Sequence, residues 1–185
     1  MNNARDAFYK INFSAPITTD SVRKLIDILS KVPDEIKELH LYINSPGGSV
    51  TVALGLVEFL KTLPCKIVTY NTARCDSAAI LLFVVGEERI CDPQASLFAH
   101  TVSVELSGEY TIESIRLNYL KLRRDYRSII AFLSQKTNLS FSQWKNYMTE
   151  KGHTFSAQEA FECGLATRIV KLPIEMFFYD SITSL

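Results

Sequence analysis

The chain has 185 residues, enough for one domain with a real core, and 20 Lys and Arg balance 20 Asp and Glu to zero formal charge. That balance argues against nucleic-acid or membrane-surface binding driven by charge and permits self-association. The N-terminal residues lack the layout of a signal peptide, no apolar run approaches a membrane span, and Cys65, Cys75, Cys91 and Cys163 form no C-x-x-C or zinc spacing, so a cytoplasmic protein with reduced thiols and neither metal nor cofactor is expected.

Phe8 to Phe13 alternates and predicts a first strand. Val22, Leu25, Ile26, Ile28, Leu29 and Val32 form a helical stripe over Thr18 to Lys31, broken at Pro33-Asp34. Glu38 to Asn44 predicts a second strand, running into Asn44-Ser-Pro-Gly-Gly-Ser49. A second helix spans Val50 to Leu63 and stops at Pro64. Lys66 to Tyr70 is a third strand. Ala78 to Val85 is an unbroken apolar run closed by Gly86, read as a buried helix with Ser77 and Asp76 at its start. Arg89 to Cys91 and Ser96 to His100 are the next strands, separated by Asp92-Pro93. This alternation predicts an α/β fold with parallel strands and crossover helices.

Thr101 to Tyr110 alternates around a Ser107-Gly108 turn signal. A long helix is predicted at 111–136, with apolar residues from Ile112 to Leu133 spaced by threes and fours and a basic opposite face. Ser140-x-x-Gln143 and Ser156-x-x-Glu159 are capping boxes. Ala166 to Leu172 reads as a last strand. The apolar tail at 173–185 is expected to pack on this subunit or on a neighbour.

Three features fall where strands end, the edge at which parallel α/β sheets build sites. Glycines in the Pro46-Gly47-Gly48 turn let the backbone bend tightly and free N–H groups point into a cleft. Ser77 stands at the start of a helix, where an oxyanion is stabilised, and His100 ends a later strand. A serine attacks an acyl carbonyl only when a base takes its proton, and histidine is the usual base. Each piece has an ordinary alternative: a helix-capping Ser, a plain turn, a satisfied buried His. Cys75, two residues before Ser77, is a lesser nucleophile candidate.

Leu41-Tyr-Ile-Asn-Ser-Pro-Gly-Gly-Ser-Val50, Ser77 before its apolar helix, Phe98-Ala-His100, Phe155-Ser-Ala-Gln-Glu-Ala160 and Cys163-Gly-Leu-Ala166 together resemble the proteolytic subunit of Clp proteases over about Phe8 to Val170. The resemblance implies a single ClpP-like peptidase domain of ClpP/crotonase fold over 1–185, built from β-β-α type units with a long protruding helix after the His strand. It implies Ser77 as nucleophile, His100 as general base and the N–H groups of Gly48 and Ala78 as oxyanion hole. It implies a homo-oligomeric ring with the long helix at the ring-to-ring contact. A peptide or unfolded-protein substrate would lie extended beside Thr101 to Leu106.

The chain departs from that pattern in three places. The family's third triad member, an Asp, falls at Gly152; Glu150, His153 and Asp76 are the candidates for its part, or none. Cys75-Asp76 and Ala78-Ala79 flank the serine where the family carries small neutral residues and Met-Gly; for Asp76, helix capping is the first expectation. About seven residues precede the first strand, which argues against an AAA+ unfoldase partner. The leading expectation is a serine endopeptidase. The alternatives are a non-catalytic scaffold or regulatory ring subunit and a crotonase-type acyl-CoA enzyme.

Overall fold

The structure is a computed structural model, and it describes residues 8–33, 35–173 and 181–183. The predicted alternation folds as strand β1 (Phe8–Ser14), helix α1 (Thr19–Leu29), β2 (Glu38–Ser45), α2 (Val50–Lys61), β3 (Lys66–Asp76), α3 (Ala79–Val84), β4 (Glu88–Cys91) and β5 (Ser96–Ala99). There follow α4 (Ile112–Lys136), α5 (Phe141–Tyr147), β6 (His153–Ser156), α6 (Ala157–Glu162), β7 (Arg168–Ile169) and β8 (Ser181–Thr183). The strands form one sheet in the order β6-β5-β3-β2-β1-β8, with β4 branching from β3 and β7 pairing with β4. Among the described residues every pairing is parallel except β5 with β6.

Alternation along the strands splits the sheet into two apolar faces. Leu39, Leu41 and Ile43 point into the main core with Leu56, Leu60 and the whole of α3. Tyr42, Val68, Tyr70, Ile90 and Leu172 form a smaller cluster of their own, where the Tyr42 and Tyr70 rings stack at 4.3 Å. All six α3 residues are buried, so this short helix is held by packing rather than by its own ladder. Both predicted capping boxes form.

Three departures from the sequence reading come from contacts distant in the chain, and one expectation falls mostly outside the described residues. β3 does not stop at Tyr70; it runs on to Asp76, and its second half pairs with β5 after the first half has paired with β4. Ser77 does not cap α3, nor does Asp76: the N-cap is Ala78, without any side-chain cap bond, because the long strand delivers the chain to α3 through a tight turn. The strand expected over 166–172 is confined to Arg168–Ile169, while the unpredicted β6 lies antiparallel along β5. The apolar tail expectation falls mostly on 174–180, 184 and 185, outside the described residues; 181–183 form β8 beside β1.

Arg89 ties the helix ends together. Its guanidinium donates to the carbonyl oxygens of Leu165 (2.8 Å), Gly86 (3.0 Å), Gly164 (3.0 Å) and Lys136 (3.4 Å). Those carbonyls close α3, α4 and α6, where a helix leaves acceptors unpaired and favours a cation. Arg89→Met keeps the bulk and strands these acceptors. It should cost about 3 kcal/mol and lower the melting temperature by roughly 6–12 °C, read by calorimetry or thermal circular dichroism.

Candidate active site

The turn after β2 is fixed from below. Ser45, fully buried, donates from its hydroxyl to the Ala15 carbonyl (2.7 Å) and accepts from the Gly47 N–H (3.1 Å). Ile17 N–H donates to the Gly47 carbonyl and Ser49 N–H to the Ile17 carbonyl, at 2.7 and 2.9 Å. Both glycines lie at positive φ, 84° for Gly47 and 144° for Gly48. A Cβ on Gly47 would stand 2.8 Å from the Ser77 Cβ and 3.0 Å from the Ala78 nitrogen, and one on Gly48 would run into the Ile17 backbone. The Pro-Gly-Gly signature is therefore a close approach of two backbones.

β3 reaches that turn through an irregularity in its pairing. Ile43 faces Asn71, but Ser45 faces Cys75, so two steps on β2 match four on β3. The Thr72 hydroxyl donates to the Ile43 carbonyl (3.1 Å) and the Asn71 amide to the Ser96 carbonyl (2.9 Å), which holds the displaced stretch. The bulge turns the end of β3 toward β5. Ser77 then adopts φ 54°, the one positive-φ non-glycine among the described residues, and its N–H donates to the Phe98 carbonyl at 2.7 Å. A non-glycine in this region is strained by about 1 kcal/mol or more. The Gly48 and Ala78 N–H groups enter no backbone hydrogen bond among the described residues.

His100 follows β5. The next residue anchors it, Thr101 N–H donating to the Thr149 carbonyl at 3.0 Å. One cleft is lined by Gly48, Ser77, Ala78 and His100, and its apolar part includes Ile80, Leu81, Ile129, Leu133 and Met148. The residues singled out by the sequence from three strand ends thus share a cavity. Ser77 and His100 are both half-buried. No hydrogen bond joins them among the described residues, and the imidazole instead stacks on the Phe98 ring, centroids 5.3 Å apart and planes at 25°.

The three candidates for a third member are placed differently. Glu150 is exposed, with its side chain in no hydrogen bond or ion pair among the described residues. His153 pairs with Ala99, one step out of phase with Phe98 and His100, and its ring lies with Tyr147 and Phe155 beside Glu159 (3.5 Å). Asp76 stands in register with Phe98 and interacts electrostatically with His100. Burial pushes its carboxyl above the ordinary value, against the pull of Arg74, a Phe98 N–H and His100. Arg74, without a role in the sequence reading, is 3.8 Å from that carboxylate. Cys75 is fully buried, and burial pushes its thiol well up, so it is no nucleophile.

The sequence reading quoted Phe98 only within the motif that ends in His100 and missed the stacking of its ring on the imidazole. Gly152 lies at φ 64°, and a Cβ there would stand 2.6 Å from two carbons of the Phe98 ring. The pairing of a glycine at 152 with an aromatic two residues before the histidine was the available signal. Among the described residues there is no group of His, Cys, Asp and Glu able to hold a metal, and no helix long and apolar enough to cross a membrane.

Residues 3–173 match the Clp protease family. The chain is 28% identical over 146 residues to an ATP-dependent Clp protease proteolytic subunit 2 of Corynebacterium diphtheriae, covering 78% of this chain and 72% of that one. It is 30% identical over 146 residues to a proteolytic subunit 1 of Rhodopirellula baltica, covering 78% and 62%. It is 28% identical over 170 residues to a proteolytic subunit 4 of Rhodococcus jostii, covering 91% and 85%. A ClpP1 mutant from Listeria monocytogenes shares the fold, with a TM-score of 0.75 at 17% identity over 90% of this chain and 94% of that one. The chain belongs to the Clp protease family, and its fold is that of ClpP.

Proposed function

We propose that this chain, as one peptidase domain with α4 as its handle, hydrolyses peptide bonds through Ser77 and His100. The observation that carries the reading is the turn at Ser77: a serine held at φ 54° against a glycine turn, opening on a cleft that His100 also lines. Such a turn exposes the hydroxyl at the end of a strand, and strain at a site of this kind belongs to function. Ser77 Oγ attacks the carbonyl carbon while His100 takes the hydroxyl proton. The Gly48 and Ala78 N–H groups receive the oxyanion. His100 then gives its proton to the leaving amine, and water, activated by the same imidazole, releases the acyl group. The missing Ser77–His100 bond is compatible with this, since without substrate such bonds are often long and tighten only when substrate binds.

The cleft also suggests the substrate. Ile80, Leu81, Ile129, Leu133 and Met148 offer an apolar seat for the side chain preceding the cut bond. Residues 102–106 carry no secondary structure and, among the described residues, make no backbone hydrogen bonds. An extended peptide could add to them as a strand. Self-assembly is part of the proposal, because the free half of α4 exposes Ile112 at 89%, Tyr119 at 59% and Leu117 at 56%. Apolar surface of this extent on one helix calls for a second copy. The curated relatives are named as ATP-dependent; for this chain the proposal covers the peptidase step alone.

A second reading, a non-catalytic ring subunit, draws on one observation: no carboxylate is hydrogen-bonded to His100 among the described residues. A fluorophosphonate probe separates the two. The peptidase should gain one stoichiometric adduct by intact mass, and Ser77→Ala and His100→Ala should gain none. An unlabelled, folded and assembled wild type would favour the scaffold.

Two further outcomes follow from the same geometry. Peptides with Leu or Met before the cut bond should be cleaved at least about tenfold faster than the Asp analogue, compared as kcat/KM. Joint replacement of Ile115 and Tyr119 by Asp should reduce the assembled mass in analytical ultracentrifugation while the far-UV circular dichroism is kept.

A further inference from the structure

The His100 imidazole stacks on an aromatic ring, that of Phe98. We infer that Phe98 is the positioning residue of His100 and that Gly152 is there to admit its ring. The inference rests on the peptidase reading for its consequence but not for its geometry. A histidine serving as a base must present one nitrogen to the serine, and its ring needs something to hold it. Among the described residues no side-chain hydrogen bond does so, and the Phe98 ring lies nearly parallel to the imidazole at 5.3 Å. That separation is in the range for an offset stack.

The ring is itself held in place. Phe98 sits in β5, paired with Asp76 on one side and Thr154 on the other. Beyond it is Gly152, whose backbone the ring touches so closely that a Cβ would stand 2.6 Å from both Cε2 and Cζ and 2.7 Å from the Ala99 carbonyl oxygen. The ring cannot withdraw toward β6 without meeting that backbone, and no side chain at 152 can enter without displacing the ring. Ring and side chain are mutually exclusive occupants of one seat beside His100. The glycine also has φ 64°, a conformation that resists any replacement.

This arrangement divides two tasks that a carboxylate performs together. The stack fixes the plane of the imidazole. Its π face favours the imidazolium formed when the Ser77 proton arrives, by a cation–π contact rather than by an ion pair. The half-buried Asp76, in register with Phe98, supplies the nearby negative charge without touching the ring through a hydrogen bond.

The test compares four variants of the full-length assembled protein with wild type, by crystal structure and by rate of fluorophosphonate labelling. Phe98→Ala should leave the assembly and melting behaviour in place, change or scatter the His100 rotamer, and slow labelling roughly 10²-fold, as a base misplaced by about 1 Å would. Phe98→Tyr keeps the π face and should keep both rotamer and rate. Gly152→Ala should push the ring away and slow labelling as Phe98→Ala does, which covers the case in which Phe98→Ala fails to fold. The double variant Phe98→Ala with Gly152→Asp empties the seat and fills it with a carboxylate; it should label faster than Phe98→Ala alone. An unchanged His100 rotamer in both Phe98→Ala and Gly152→Ala overturns the inference. Absent labelling of wild type would count against the peptidase reading instead, and the rotamers would still decide this one.

Discussion

The approach of the Gly47 backbone to the turn at Ser77 is the contact on which the site depends. A Cβ at Gly47 would lie 2.8 Å from the Ser77 Cβ, so the two chains touch at a distance that only glycine permits. That approach needs β3 to arrive displaced from its ordinary register, and the irregular pairing between Ile43 and Ser45 supplies the displacement. It also needs the glycine turn to be rigid, which the buried Ser45 hydroxyl and the Ile17 bridge achieve from behind. A regular strand at either place would leave Ser77 pairing within the sheet, its hydroxyl unable to reach a cleft.

Strain at Ser77 persists because the surroundings over-determine it. The chain enters through a paired strand, is pinned by the Ser77 N–H bond to Phe98, and leaves into a helix whose six residues are all buried. Each fully buried Leu, Ile or Phe side chain contributes about 1.5–3 kcal/mol, so relaxing a turn that costs about 1 kcal/mol would forfeit far more packing than it regained. Gly86 closes α3 against Thr69, where a Cβ would meet the Thr69 hydroxyl at 2.5 Å, and Arg89 gathers the carbonyls beyond. The helix is therefore clamped at both ends, and the N–H of Ala78 at its start, a residue lining the cleft, enters no backbone hydrogen bond among the described residues.

Much of this was legible in the chain. The alternation of β1 and β2, the stripe on α1, the long helix after His100 and both late capping boxes are local patterns, and local patterns survive folding. Ser77, His100 and the glycine turn were readable as one set because their order along the chain is specific even where each piece is not, and they do line one cleft. What sequence could not show is non-local. The extension of β3 past Tyr70 depends on β5 being available to pair with Arg74 to Asp76. β6 has too few residues to announce itself, and becomes a strand only because β5 offers an edge. Ser77 looked like a helix cap because Ser before an apolar run usually is one; the strained turn that displaced this reading comes from contacts with Gly47 and Phe98. Gly152 was legible as a missing carboxylate but not as the space for a ring.

That last point bears on how a histidine base can be specified. A carboxylate selects the tautomer, fixes the ring and neutralises the imidazolium, and losing it in the serine-protease template costs about 10⁴ in rate. Stacking on Phe98 provides the second of these directly, and the third in weaker form through the face of the ring. It does not choose between the two nitrogens. Under the proposed reading that choice passes to the remaining charges at the site, where the half-buried Asp76 interacts electrostatically with His100 and Arg74 opposes it. Under the proposed peptidase reading the arrangement suits a slow, well-aimed base: the stack on Phe98 holds the imidazole, and no carboxylate is hydrogen-bonded to it among the described residues.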